Sequence, residues 1–249
     1  MPGALVLLRH GESALNAQGR FTGLLDPHLT GAGYTEARAA AHLMAAADLR
    51  VDAVFTSTLR RTAETARTVL ACLGTPGVPC TEAWELNERS YGSLTGQARA
   101  QVLQELGPSA FTAWRRSYDG APPPMPPHQL AAIRASPAMA ALPPEAVPAT
   151  ESLAEVAERV RRFWHARLVP ALRGGGVTLV VAHGNTLRAL CMVIGSLGAD
   201  EVEALNIPTG QPLLYRFTED MEPTARAGAY LDPEAAHAGA ARIAAEGGT

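Results

Sequence analysis

Two segments of this chain share one pattern: LVLLRHG at residues 5–11 and TLVVAHG at residues 178–184 are apolar runs that end in His-Gly. Runs that are apolar throughout are typical of strands buried on both faces of a parallel sheet. Ligands of open parallel sheets bind beyond the carboxyl ends of the strands. The pattern therefore places His10 and His183 at one sheet edge, where a ligand site forms.

The rest of the chain alternates predicted strands and helices. Apolar strands are predicted over residues 4–8, 51–57 and 212–217, and residues 176–197 are interpreted as strand, turn and helix. Helices are predicted over residues 30–47, 58–73 and 152–172, two of them beginning at Thr30 or Ser152 as cap. This alternation predicts an α/β fold with three α/β/α layers and a mostly parallel central sheet.

We expect a single domain over residues 1–249. Residues 120–150 are rich in proline and are interpreted as an excursion over the sheet, and a flexible tail is predicted from about residue 233. Three cysteines without metal-site spacing and the lack of a signal-peptide pattern predict a cytoplasmic protein. No apolar run reaches membrane-spanning length, so no membrane association is expected.

The sequence contains no lysine, so all 21 of its basic side chains are arginine. This excludes a Walker-A phosphate lysine, a pyridoxal-phosphate aldimine and a Schiff-base aldolase. The formal net charge of −3 argues against nucleic-acid binding. Any positively charged site must therefore be local.

The histidine pair has two interpretations: convergence on one substrate, or two unrelated core histidines that each satisfy a hydrogen bond. The matching strand ends favour convergence. A metal site is disfavoured because no HExxH occurs and only Glu12 lies near His10 in sequence, and the serine-hydrolase motif GxSxG is absent.

Arginines follow several predicted strand ends, among them Arg9 and Arg61, with Arg115 and Arg116 in WRRSY. Guanidinium groups bind phosphate oxygens in a bidentate way, so we expect a small, strongly anionic ligand. For Arg20, Arg60 and Arg89 simple exposure to solvent is the favoured interpretation. Glu88, in a polar stretch rich in turn residues, is a candidate proton donor to a leaving oxygen.

A family resemblance rests on several motifs taken together. These are LLRHGESALNAQGRFTGLLDPHLTGAG, FTSTLRRTAET, LNERSYGSLTG, WRRSYDGAPPPM, VVAHGNTLRAL and LNIPTGQPLLY. In this order, from about residue 4 to residue 217, the chain resembles the cofactor-dependent phosphoglycerate mutases of the histidine phosphatase superfamily. The resemblance implies their fold and the interconversion of 3-phosphoglycerate and 2-phosphoglycerate without a metal. It also implies 2,3-bisphosphoglycerate as primer, a small phosphorylated carboxylate as substrate, and a homodimer or homotetramer.

The resemblance also implies residue roles. His10 would be the nucleophile that becomes a phosphohistidine, with Arg9, Arg61 and His183 around the transferring phosphoryl group and Glu88 as proton donor and acceptor. The residues expected to line the phosphate and carboxylate sites are Ser13, Asn16, Thr22, Gly23, Tyr91, Arg99, Arg115, Arg116, Gly184 and Asn185.

The chain departs from the family pattern at four places. This chain has Leu15 where the family usually has Trp, Ser90 where it has His and Arg99 where it has Lys. Its tail lacks the lysine that the family tail carries, and Arg242 is the only basic side chain there. A tail that covers the site poorly would admit water to the phosphohistidine. The alternatives are therefore a phosphohistidine-dependent phosphatase, a mutase-like paralogue acting on another phosphorylated hydroxy acid, and a non-catalytic anion-binding module.

Overall fold

A computed structural model describes residues 2–245 of the chain. Within these residues the strands form one six-stranded sheet in the order β3-β2-β4-β1-β5-β6. The strands are β1 (Ala4–Arg9), β2 (Val51–Thr56), β3 (Cys80–Glu82), β4 (Val177–Ala182), β5 (Leu213–Tyr215) and β6 (Ala229–Tyr230). Strands β1 to β4 run parallel to one another, whereas β5 pairs antiparallel with β1 and β6 pairs antiparallel with β5. The prediction of a mostly parallel sheet is confirmed.

Helices cover both faces of the sheet. They are α1 (Ala14–Ala17), α2 (Gly31–Ala46), α3 (Arg60–Cys72), α4 (Arg99–Arg116), α5 (Pro127–Arg134), α6 (Leu153–Phe163), α7 (Val169–Arg173), α8 (Gly184–Gly195), α9 (Ala199–Ala204) and α10 (Pro233–Ala245). A π-helical turn over Trp164–Leu168 joins α6 to α7. The predicted helix over 152–172 is therefore present, with this turn in its middle.

The central strand β1 shows why the fold has three layers. Leu5 and Leu7 pack with α6 and α8 on one face, while Val6 and Leu8 pack with α2 and α3 on the other. All four side chains are buried. Alternate side chains of a strand point to opposite faces, so a continuous apolar strand needs a helical layer on each side.

The proline-rich segment builds a small core of its own. Met125, Ile133 and Met139 pack with Leu24 and Leu59 at one end of the sheet. Helix α5 and a 3₁₀ turn over Pro144–Ala146 lie within this segment. The segment is thus folded against the body of the domain and is not extended from it.

The first part of the predicted tail packs against the body of the chain. Residues 233–245 form helix α10, with Ala236 buried and Gly239 packed against Pro208, so closely that a Cβ on Gly239 would lie 2.7 Å from the Pro208 Cβ. The small residues of the tail, from which flexibility was predicted, allow this close approach. The last four residues of the predicted tail lie outside the described residues.

Candidate active site

The two His-Gly segments meet because β1 and β4 are adjacent and parallel. Arg9 and Ala182 are the last register pair of these strands, and the next residue in each chain segment is a histidine. The backbone N–H of His10 donates to the Ala182 carbonyl at 3.0 Å. The rings of His10 and His183 lie 4.9 Å apart, centroid to centroid, at an interplanar angle of 66°. The predicted convergence of the two histidines is what the structure shows.

The hydrogen bonds of His10 decide which ring nitrogen is available. Its Nδ1 lies 2.7 Å from the Gly11 carbonyl oxygen, which can only accept, so Nδ1 carries the proton of the neutral ring. The lone pair is then on Nε2, which lies 3.3 Å from the Nε of Arg61. His10 therefore presents Nε2, the nitrogen that a nucleophile needs, toward Arg61.

The surroundings of His10 keep it neutral. Burial lowers its pKa well below the usual 6.5, and the nearby charges of Arg61 and Arg9 lower it further. The hydrogen bond to Gly11 opposes this effect. Because a protonated imidazole has no lone pair to attack with, a lowered pKa leaves the His10 ring able to act as a nucleophile near neutral pH.

Arg61 connects both histidines to the neighbouring loop. It lies in the first turn of α3, directly after β2, and its side chain is buried. Its Nε faces His10 and His183, while Nη1 donates to the Leu25 carbonyl at 2.7 Å and Nη2 to the Gly23 carbonyl at 2.9 Å. Burial lowers its pKa to about 10, which still leaves it protonated at neutral pH.

His183 lies behind Arg61 and is fully buried. Its Nδ1 is 3.2 Å from Arg61 Nε, and its Nε2 is 2.8 Å from the Ser57 hydroxyl. Burial lowers its pKa well below 6.5, followed by the charge of Arg61. Both rings are therefore neutral and are oriented by a single guanidinium group.

Glu88 lies on a loop between two 3₁₀ turns, Trp84–Leu86 and Gly92–Leu94. Its Oε1 accepts the backbone N–H of Arg89 at 2.8 Å. Arg159 and Glu151, a buried ion pair with an N–O distance of 2.9 Å, hold this loop. Arg159 donates to the Asn87 carbonyl and Glu151 accepts the N–H of Ser90, so the residues on both sides of Glu88 are fixed.

These groups surround one pocket, which we call the anion pocket. Its lining residues are Arg9, His10, Asn16, Arg20, Phe21, Thr22, Gly23, Arg61, Glu88, Tyr91, Arg99, Arg115 and Ile243. Five of them are arginines, and Glu88 is the one carboxylate among these described residues. The arrangement attracts a multiply charged anion and places one acid beside it.

Ten of the fifteen residues predicted for the site line this pocket, and the other five are not among its lining residues. Gly184 begins α8 directly after the buried His183. The Ser13 hydroxyl donates to Asn16 Oδ1 at 2.7 Å, and Asn185 Nδ2 donates to the Tyr91 hydroxyl at 2.8 Å. Ser13 and Asn185 thus hold lining residues in place.

Arg116 is not among the residues that line the anion pocket. Its guanidinium group donates to Asn206 Oδ1 at 3.1 Å, to the Leu205 carbonyl at 3.0 Å and to the Glu203 carbonyl. It therefore fixes the segment after α9. Arg116 was expected to line the ligand site, but none of these hydrogen bonds is to a residue of the anion pocket.

One of the three arginines expected to be simply exposed to solvent is not. Arg20 is exposed, as expected, and it also lines the anion pocket and donates from Nη1 to the Gly96 carbonyl at 2.7 Å. Arg89 is fully buried, donates to the Trp114 carbonyl and stacks over the Tyr91 ring at 5.0 Å. Arg60, in contrast, is exposed as expected and pairs with Asp26. No periodicity in the sequence distinguishes these three environments.

Ile243 was not predicted as a site residue. It reaches the anion pocket from α10, and the packing of that helix brings this side chain to the site. An isoleucine in an alanine-rich tail is the one signal in the sequence that could have indicated a contact.

Within residues 2–245, no group of three or more His, Cys, Asp and Glu side chains is arranged to hold a metal ion. Nor does any helix there combine the length and the hydrophobicity that crossing a bilayer requires.

The fold and the paired histidines define a class of protein. The family model of the histidine phosphatase superfamily (branch 1) matches residues 5–146 and 138–226. The chain belongs to this superfamily. Within it, the chain is similar to proteins named 2,3-bisphosphoglycerate-dependent phosphoglycerate mutase. The relative from Thermobifida fusca is 45% identical over 93% of this chain and 94% of its own, and that from Rhodococcus jostii is 43% identical over 99% and 97%.

Solved structures show the same fold. The mycobacterial glucosyl-3-phosphoglycerate phosphatase matches with a TM-score of 0.66 at 26% identity, over 89% of this chain and 93% of that one. The alpha-ribazole phosphatase from Shigella flexneri matches with a TM-score of 0.64 at 24% identity, over 91% and 98%. The predicted fold class and the family resemblance are confirmed.

Proposed function

We propose that this chain interconverts 3-phosphoglycerate and 2-phosphoglycerate through a phosphohistidine at His10, with 2,3-bisphosphoglycerate as primer. The observation that carries the proposal is that the Nε2 lone pair of His10 faces a pocket lined by five arginines. The relatives at 43–45% identity that are named as such mutases support it.

The anion pocket fits a bisphosphorylated carboxylate. Two phosphate groups carry about −1.5 to −2 each near neutral pH and the carboxylate adds one more charge, which five arginines can neutralise. Arg9 donates from Nη1 to the Ile207 carbonyl, but its buried Nε has no hydrogen-bond partner among the described residues. A buried donor of this kind is satisfied when an anion binds. The bisphosphate supplies the phosphoryl group that loads His10.

Phosphoryl transfer requires alignment and stabilisation of charge. In this proposal the neutral His10 attacks through Nε2, while its Nδ1–H, held by Gly11, carries the positive charge that develops. Arg9, Arg61 and His183 stabilise the charge on the transferring group. No metal is part of this scheme.

Glu88 is proposed as the proton donor and acceptor. When phosphohistidine reacts with a hydroxyl of the phosphoglycerate, Glu88 accepts the hydroxyl proton, and it returns the proton when the other oxygen leaves. It lies in the anion pocket and is 7% exposed, so bulk water competes little for this proton.

The remaining pocket residues are proposed to hold the substrate. Arg99 and Arg115 bind its carboxylate and second phosphate, together with the hydrogen-bonding groups of Asn16, Thr22, Gly23 and Tyr91. The substrate is thus a small phosphorylated carboxylate. A homo-oligomeric state, dimer or tetramer, and a cytoplasmic location are also proposed, from the family resemblance.

The proposal is tested with purified protein and 3-phosphoglycerate, with and without catalytic 2,3-bisphosphoglycerate, while 2-phosphoglycerate and free phosphate are measured together. We expect isomer formation that depends on the bisphosphate, with little free phosphate. Phosphate release without isomerisation would mean a phosphatase, and neither product would mean a different substrate. His10→Ala should abolish both phosphoenzyme and turnover, and a variant that still becomes labelled with phosphate contradicts the role of His10.

A further inference from the structure

The far side of His183 contacts the Ser57 hydroxyl, which contacts the Thr62 hydroxyl in turn, and the scheme above gives neither hydroxyl a role. The Ser57 hydroxyl lies 2.8 Å from His183 Nε2 and 2.8 Å from the Thr62 hydroxyl. Ser57 is the residue after β2, Thr62 lies in the first turn of α3, and both are fully buried. Water therefore does not replace either contact.

The direction of these hydrogen bonds follows from Arg61. Its Nε–H always donates, so the neutral His183 ring must accept at Nδ1, 3.2 Å away, and carry its proton on Nε2. Ser57 must then accept at its oxygen from His183, as it also does from the Leu59 N–H at 3.2 Å. With both lone pairs used, the Ser57 hydroxyl has to donate its own proton.

Thr62 receives that proton. Its hydroxyl lies 2.8 Å from the Leu59 carbonyl oxygen and donates to it, which leaves the Thr62 oxygen to accept from Ser57. The chain of donors thus runs from His183 to Ser57, to Thr62 and to the Leu59 carbonyl. Reversing it would place an Nδ1–H of His183 against the Nε–H of Arg61, two donors 3.2 Å apart.

We propose that Ser57, oriented by Thr62, is a positioning residue that fixes the ring orientation of His183 and, together with Arg61, its tautomer. Its consequence for catalysis rests on the proposed function. His183 then keeps Nδ1 directed toward Arg61 and the phosphoryl group.

The test reads the tautomer directly. Protein labelled with [15N]histidine is observed near neutral pH by long-range 1H–15N correlation, which distinguishes protonated from unprotonated ring nitrogens. The His183 signals are assigned by their loss in His183→Gln. In the unsubstituted protein we expect His183 protonated at Nε2 and unprotonated at Nδ1.

Two variants and one control complete the test. Ser57→Ala should reduce the Nε2–H population of His183 and lower kcat about 10- to 100-fold, with a smaller change in KM, because a buried donor loses its partner. Thr62→Val, which frees the Ser57 hydroxyl to turn toward His183, should shift the tautomer in the same direction. Thr56→Val removes a buried hydroxyl from the adjacent residue and should change neither readout.

A proton found on Nδ1 of His183 in the unsubstituted protein overturns the proposal. So does a folded Ser57→Ala protein that keeps both the tautomer and kcat. If Ser57→Ala does not fold, the unsubstituted spectrum and Thr62→Val still decide. Because the spectra need no substrate, failure of the mutase assay and failure of this proposal are distinguishable.

Discussion

The Nε of Arg61 lies 3.3 Å from Nε2 of His10 and 3.2 Å from Nδ1 of His183, so a single N–H faces the lone pairs of two neutral imidazoles. The other two nitrogens of the same guanidinium group donate to the backbone carbonyls of Gly23 and Leu25. The planar fork of arginine makes these contacts possible at once. The two histidines are therefore positioned relative to each other by α3 as well as by the sheet.

Replacing this fork with a point charge should disable the site. Arg61→Lys keeps the positive charge but cannot make the four contacts together, so we expect phosphoenzyme formation to slow on the order of 100-fold. The measurement is rapid-quench labelling of His10 with 32P from 2,3-bisphosphoglycerate. Arg60→Lys, at the exposed neighbouring residue, is the matched control and should label at the unsubstituted rate. Equal rates for both variants contradict the role of Arg61.

The lowered histidine pKa values predict how stability depends on pH. In the unfolded chain His10 and His183 take up protons near pH 6.5, whereas in the folded protein both pKa values lie well below it. Below pH 6.5 the unfolded state therefore binds more protons, and the free energy of unfolding decreases as pH falls, by about 1.4 kcal/mol per pH unit for each histidine.

Urea titrations of the unsubstituted protein and of His10→Gln between pH 8 and pH 5 measure this effect. Below about pH 6.5 the free energy of unfolding of the variant should fall less steeply with pH than that of the unsubstituted protein. Above pH 7.5 the two slopes should be equal, because His10 is then neutral in both the folded and the unfolded protein. Identical slopes at acid pH would show that His10 takes up its proton in the folded protein as readily as in the unfolded chain.

The tail helix predicts a control of water access. Ile243 contributes an aliphatic side chain to a pocket otherwise lined mainly by polar groups. Ile243→Ala should expose the phosphohistidine to water and raise its hydrolysis severalfold relative to isomerisation. The readout is the ratio of free phosphate to 2-phosphoglycerate, with the exposed Ala244→Ser as control. An unchanged ratio means that α10 does not exclude water from His10.

Arg20 provides a test of the charge of the anion pocket. Arg20→Gln should raise KM for 3-phosphoglycerate about fivefold, the effect of one partly screened contact of ~1 kcal/mol, while kcat changes less. Arg38→Gln, on the exposed face of α2, removes the same charge away from the pocket and serves as control. Equal KM values for the two variants would show that Arg20 does not contact the substrate.

The loop after His10 depends on a close contact between glycines. A Cβ added to Gly11 would lie 2.2 Å from the Gly33 carbonyl oxygen, and one added to Gly33 would lie 2.2 Å from the Glu12 carbonyl oxygen. Gly33→Ala should therefore lower the free energy of unfolding by about 1–3 kcal/mol. Gly31→Ala, where no atom lies within 4 Å of the new Cβ, should not. Urea unfolding compares the two, and equal stability would mean that the loop adapts without cost.

Local patterns in the sequence predicted the central strands well. Strands β1, β2 and β4 are apolar on both faces, and the helices after β2 and β4 begin within a few residues of the strand ends. The short strands β3 and β6 and helix α4 were not predicted. Strand β3 has three partly exposed residues, β6 has two residues, and α4 contains Gly107 and Pro108, which interrupt it. Neither the alternation of apolar and polar residues typical of a strand nor the 3.6-residue repeat of a helix is visible in such segments.

The sequence by itself determined that two histidines end two buried parallel strands, because burial on both faces requires continuous apolar residues and the pattern is local. It did not determine which arginines line the pocket. Arg20 lines it, Arg116 binds Asn206 instead, and Arg89 is buried against the ring of Tyr91. Only the tertiary structure decided these directions, and also the positions of Ile243 and Ser57. Each depends on partners 20 to more than 200 residues distant in sequence, and no local periodicity records such contacts.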